Sequence, residues 1–164
     1  MTHRPDVSAH PASMICMALA LSVLVSHSCR AQVTPAAAAE SAFRRAERLA
    51  GGGNTAAARV LIDSVLSTSR EGSPEYADAI YWRATLAQTA EQARRDYLRL
   101  AVEFSFSPRA EDALLRLAQL ELARGDRTAA RRHLERLALE HPSGASSAKA
   151  AYWMGRVFFE EGAM

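Results

Sequence analysis

Small residues return along this chain at a long and nearly constant interval. Ala46, Ala84, Ala118 and Gly155 stand 38, 34 and 37 residues apart, and a second series, Ala58, Ala93 and Ala130, runs at 35 and 37. A period of that length is the signature of a repeating supersecondary unit. Two small residues per period, one in each of two helices, let neighbouring backbones approach where larger side chains would clash. The spacing therefore predicts a stack of helical hairpins. No hairpin could hide its apolar stripe alone, and stacked neighbours would complete one continuous core.

The punctuation between the small residues agrees. Gly53-Asn54, Gly125-Asp126 and Gly162 sit where helices should end, glycine accepting the left-handed backbone of a helix terminus. Asn54 and Asp126 can then cap the helix that follows. Ser73-Pro74 and Ser107-Pro108 read as helix starts, and Thr89 through Gln92 has capping-box spacing. Seven helices are predicted near 36–50, 55–69, 74–87, 90–104, 108–124, 127–140 and 146–162. The fold class expected is all-α. Aromatics at 7% and recurrent alanine argue against a sandwich or barrel.

The first 31 residues follow another logic. A polar start with Arg4 precedes an apolar run from Met14 to Val25, about half the length that spans a bilayer. Small residues flank Arg30 in Cys29-Arg30-Ala31, as a signal peptidase requires for cleavage after Ala31. Residues 1–31 are expected to be a signal peptide, and 32–164 the repeat domain of an exported protein. A second reading has Cys29 acylated as in a bacterial lipoprotein, although Ser26 stands where such signals place an aliphatic residue. Membrane association is expected only if Cys29 is lipidated. Cleavage after Ala31 removes Cys16 and Cys29, and with them any disulfide, thiolate nucleophile or cysteine zinc site. His133 and His141 would remain, read as solvated surface side chains.

The units resemble the tetratricopeptide repeat (TPR) in Leu114, Leu117-Ala118, Ala130, Leu134 and Pro142, and again in Ala151, Met154-Gly155 and Phe158. Ile80, Ala84, Ala93 and Tyr97 carry a second unit, with Arg83 where an apolar residue is usual. Ala46, Gly53-Asn54, Ala58 and Ile62 carry the first. The segment Pro142-Ser143 followed by Ala150 to Gly155 is similar to repeats of periplasmic TPR proteins: the Tol-Pal cell-division coordinator and the TPR lipoproteins of outer-membrane assembly. Arg156 stands where the Tol-Pal relatives carry an acidic residue. The resemblance implies a right-handed α-α superhelix of about three and a half repeats, located in the periplasm or at the outer-membrane periphery.

It also implies a groove. Carried over from the family, the concave positions are Phe43 and Glu47, then Tyr81 and Thr85, then Leu115, Gln119 and Leu122, then Tyr152, Arg156 and Phe159. Aromatic anchors beside polar groups suit a peptide or partner helix of the envelope. The lysines and asparagines of a carboxylate clamp are not among them.

Catalysis is not expected. Glu111-Asp112 and Glu160-Glu161 are adjacent on helices, so their side chains point about 100° apart and converge on no substrate atom. No phosphate loop, Ser/His/Asp set or metal-ligand spacing is present in the sequence, and no cofactor or metal ion is expected. Nucleic acid is not an expected partner. The net charge is only +2, and the one basic stripe, Arg127, Arg131, Arg132 and Arg136, is interleaved with Glu135 and Glu140. The sequence stops just after Gly162, half-way through a unit, which predicts a truncated array. The alternative expectation is the N-terminal part of a longer envelope protein with a peptidoglycan-binding or hydrolytic domain beyond residue 164. Phe158 and Phe159 would then be left open beside Tyr152, ready for self-association or hydrophobic peptides through helix 146–162.

Overall fold

Seven α-helices follow one another: α1 (Pro35–Gly51), α2 (Thr55–Thr68), α3 (Pro74–Thr85), α4 (Ala90–Glu103), α5 (Pro108–Ala123), α6 (Arg127–Glu140) and α7 (Ser147–Glu160). The computed structural model describes residues 34–162. The expectations placed on the export signal, its cleavage site and Cys29 lie outside the described residues. Among the described residues there is no strand, and no helix is long and apolar enough to cross a membrane. The fold is all-α and repeat-like.

The helix starts are set by short polar side chains. Thr34, Asn54, Ser73, Thr89, Ser107 and Asp126 each accept a hydrogen bond from a first-turn N–H, and Pro35, Pro74 and Pro108 occupy first helical positions. Three of the inter-helix turns need glycine. Gly53, Gly72 and Gly125 have φ of 82°, 84° and 82°, which only glycine adopts without strain. The capping box is looser than its spacing predicts, since the Gln92 amide oxygen accepts from Gln88 N and not from Thr89. Helix α7 has no side-chain cap, because Ser146 Oγ donates instead to Asp112. It therefore begins one residue later than predicted.

Consecutive helices pack as antiparallel neighbours. In addition α1 touches α3, α3 touches α5 and α5 touches α7, whereas the backbones of α2 and α4, or α4 and α6, do not approach closely, α4 and α6 being joined by Arg136 donating to the Ala101 carbonyl at 2.9 Å. The odd-numbered helices thus form one tight layer and the even-numbered helices a looser one. The alanine anchors are buried along this seam: Ala46, Ala58, Ala84, Ala118 and Ala130 are at most 2% exposed, and Ala93 is 9% exposed. Ala39, Phe43, Ala46, Ala58, Ile62 and Val65 join Ala79 and Leu86 in an N-terminal cluster. A larger cluster from Ala77 to Val157 includes Leu100, Leu114, Leu117, Leu134 and Leu137, and Leu66 packs against both.

Ion pairs lock the seams from outside. Arg83, the residue out of place in the repeat pattern, makes a bidentate pair with Asp96 of α4 at 2.7 and 2.8 Å. Its charge is spent across a half-buried hairpin, which explains why an arginine is tolerated there. Arg94 of α4 donates to Glu121 of α5 at 2.7 Å, and that carboxylate is only 2% exposed.

Candidate functional site

The residue three before each anchor faces the neighbouring odd helix. Phe43 stacks on Trp82 with ring centroids 6.4 Å apart. Tyr81 lies under the Arg109 guanidinium, 5.0 Å from the ring centroid, and Arg109 in turn holds Asp78 at 2.7 Å. Leu115 is buried in the larger core. Only Tyr152, with no further odd helix beside it among the described residues, stands open, its ring edge-on to Trp153. Phe43 and Leu115, two of the expected groove residues, are both buried, Phe43 against Trp82 of α3.

The residue after each anchor behaves differently. Glu47, Thr85 and Arg156 are exposed and Gln119 is half-buried. Thr85 and Gln119 line one groove of about 400 Å³ with Tyr97, Arg116 and Leu120, over a floor that includes Ala84 and Ala93. Thr85 Oγ1 donates to the Tyr81 carbonyl at 3.0 Å, which leaves the Tyr97 hydroxyl, also 3.0 Å away, to donate to Thr85. Burial pushes the Tyr97 pKa up, partly offset by Thr85, so it remains a hydroxyl. Arg116 donates to the Gln119 amide oxygen at 3.1 Å. The groove thus pairs an apolar floor with hydroxyl, amide and guanidinium walls.

The other expected site residues lie elsewhere. Leu122 is half-buried against the larger core. Arg156 sits over the Trp153 ring and pairs with Glu160 at 2.9 Å. Phe159 is exposed, as is Phe158 at 40%. Tyr97, Arg116 and Arg109 were not singled out for the groove. The sequence carried one cue, since Arg116 stands one turn before the exposed end of the anchor row, but helical spacing alone does not aim a side chain across a seam.

Glu111 and Asp112, weighed for chemistry, and the expected cap Asp126 all have structural partners. Glu111 accepts from Ser146 N and Asp112 from Ser146 Oγ at 2.9 Å, so both tie the α6–α7 turn to the start of α5. A Cβ at Gly144 would meet the Glu111 carboxylate, the movable end of a flexible side chain, so a larger residue there would displace that carboxylate. Asp126 caps α6. The arginine stripe of α6 is likewise engaged, Arg136 with Glu140 at 2.7 Å, Arg127 with Glu160 at 3.5 Å and Arg131 with Glu161 at 3.3 Å. The histidines are less solvated than expected. Both are half-buried, and His133 has its pKa lowered chiefly by burial, against the pull of Glu121.

No protein-family model matches this chain, and no curated protein matches it.

Proposed function

We propose that this chain is a non-catalytic protein-interaction scaffold, a TPR-like array exported to the bacterial envelope, whose α3–α5 groove receives a peptide or partner helix. The observation that carries this reading is the groove of Thr85, Tyr97, Arg116 and Gln119, formed where α3, the turn after it, α4 and α5 meet. Donors and acceptors above a small-residue floor suit main-chain amides of a bound segment, while Tyr81 behind Tyr97, centroids 5.7 Å apart, stiffens the wall. A scaffold role also accords with the acidic residues, since Asp78, Asp96, Glu111, Asp112 and Glu121 all hold helices or turns together.

The test is selection of peptides from a random library on the whole chain. Gln119→Arg should weaken the selected peptides by about tenfold, whereas Val60→Ser on the outer layer should leave them unaffected. If no peptide is enriched, or if binding ignores Gln119→Arg, the groove reading falls. Export is tested separately: protein secreted by a Gram-negative host should begin at Gln32, and an intact Met1 in the cytoplasm would overturn it.

A further inference from the structure

Several arginines of this chain close onto an acid one helical turn away. Arg99 holds Glu103 at 2.8 Å, Arg136 holds Glu140 at 2.7 Å and Arg156 holds Glu160 at 2.9 Å. Arg59 and Arg95 have the same opportunity and do not take it. Asp63 stands four residues after Arg59, yet Arg59 reaches the Leu86 carbonyl at 3.4 Å. Glu91 stands four residues before Arg95, yet it goes to Arg94 at 3.6 Å. Among the described residues, neither guanidinium is paired with a carboxylate.

Both arginines line one cavity of about 520 Å³ between α2 and α4, whose backbones do not approach closely. Arg83 and Asp96 line it too. Their bidentate pair engages both carboxylate oxygens and leaves Arg83 Nη1 without a hydrogen-bond partner among the described residues. Gln92 adds an amide whose oxygen already accepts from Gln88 N, so its NH2 group is what it has left to offer. Arg83 and Asp96 cancel in charge, which sets Arg59 and Arg95 against the exposed carboxylate of Asp63. The cleft therefore holds an excess of donors and of positive charge.

We propose that the α2–α4 cleft is a binding site for a small phosphomonoester with a hydroxylated body, a sugar phosphate in chemical class. A phosphomonoester carries a charge of about −1.5 to −2 at neutral pH and three strong acceptor oxygens. Those oxygens suit guanidinium donors from three elements, Arg59 on α2, Arg83 Nη1 on α3 and Arg95 on α4. A carboxylate, with one charge and two oxygens in a plane, would leave donors unused. The cavity is many times the roughly 30 Å³ of one water molecule, which leaves room for the body behind the phosphate. Asp63 repels the phosphate and so serves the other end, accepting from a hydroxyl. The α3–α4 turn separates this cleft from the α3–α5 groove, Ala87 and Gln88 lining both, and the site does not depend on what the groove receives.

The probes are glucose 6-phosphate, glucose, inorganic phosphate and acetate, each titrated calorimetrically into the whole chain at about 0.15 M salt, where loose ion pairing is screened. Glucose 6-phosphate should bind saturably, one to one, and more tightly than inorganic phosphate. Glucose and acetate should not bind. Arg59→Gln and Arg95→Gln should each weaken the ester about tenfold. Arg95 is exposed and holds no acid, so its variant should keep the parent's melting temperature. Arg132→Gln, at an exposed position of α6, should change nothing. Asp63→Asn should tighten inorganic phosphate a few-fold by removing a like charge, and should narrow the preference for the sugar phosphate over it. Absence of saturable binding overturns the proposal. So does binding that Arg95→Gln and Arg132→Gln weaken equally, the mark of diffuse charge attraction. Acetate held as tightly as phosphate, or a sugar phosphate held no more tightly than inorganic phosphate, would overturn the ligand class.

Discussion

Helices α5 and α7 each open a hairpin unit in the repeat pattern, yet their surroundings differ. Helix α5 touches α3, α4, α6 and α7, and buries Ala110, Ala113, Leu114, Leu115, Leu117, Ala118 and Glu121. Among the described residues, helix α7 touches only α5 and α6, and buries Ala150 and Val157. The two share a spacing of small and apolar residues but not a fate. Sequence pattern sets which side chains could be buried; the number of neighbouring helices decides which ones are. In a stack this is the nearest-neighbour character of repeat stability seen at side-chain level.

The largest expected effect tests that difference directly. Leu117 and Met154 each stand one residue before their anchors, Leu117 fully buried and Met154 half-buried. Leu117→Ala should destabilise by about 3 kcal/mol or more, the cost of lost transfer energy plus a cavity. Met154→Ala should cost about 1 kcal/mol, since much of its side chain already meets water. Denaturant melts of the two variants check this. Equal losses would mean that α7 is as firmly held as α5, and the comparison would collapse.

A smaller effect separates the ion pairs of the two helices. Glu121 on α5 is buried and accepts from Arg94, with Arg124 at 3.4 Å on its other oxygen. A double-mutant cycle of Arg94→Ala with Glu121→Ala should give a coupling of about 1–2 kcal/mol. That is below the cost of breaking a fully buried pair because Arg94 is one-third exposed. The Arg156–Glu160 pair of α7 joins i and i+4 of one helix with neither side chain buried, and should show a much smaller coupling. Coupling of equal size in both cycles would remove burial as the deciding factor.

How much of this was legible beforehand follows from the same distinction. Helix bounds fell within one or two residues because caps, prolines and glycines act locally, as at Ser73-Pro74 and Gly125-Asp126. The anchors were legible because close approach demands small residues at a fixed period. The burial of Phe43 was not legible, because three residues before its anchor it stacks on Trp82 of the next odd helix, a relation between units that a single helical period does not encode. Thr85 and Gln119, one residue after their anchors, escape that contact and do line the groove. Arg83 looked like a defect until Asp96 of α4, thirteen residues away, supplied its partner.

The smallest effect concerns the seam between α5 and α6. His133 on α6 is half-buried, with Glu121 drawing its pKa up and Arg132, Arg136 and Arg94 pushing it down, but burial dominates and lowers it below the ordinary value of 6.5. In this pH range the folded chain binds fewer protons at this site than the unfolded chain does. Stability must then rise with pH through the window below 6.5 and fall as acid is added, reaching its full loss only once the folded-state histidine is itself protonated. Because the ring is partly exposed, the slope will be shallow. Melts between pH 7.5 and 5.5, above the range where most carboxylates titrate, should show a modest decline that His133→Gln reduces. The decline belongs to the covered side of the stack, since Glu121 and Arg94 both lie on the α4–α5 side of His133. Gly155→Gln, on the open side, should leave the pH dependence as it was. An identical decline in wild type and His133→Gln would show that another group governs it, and that this histidine is no better shielded than the side chains of the open end.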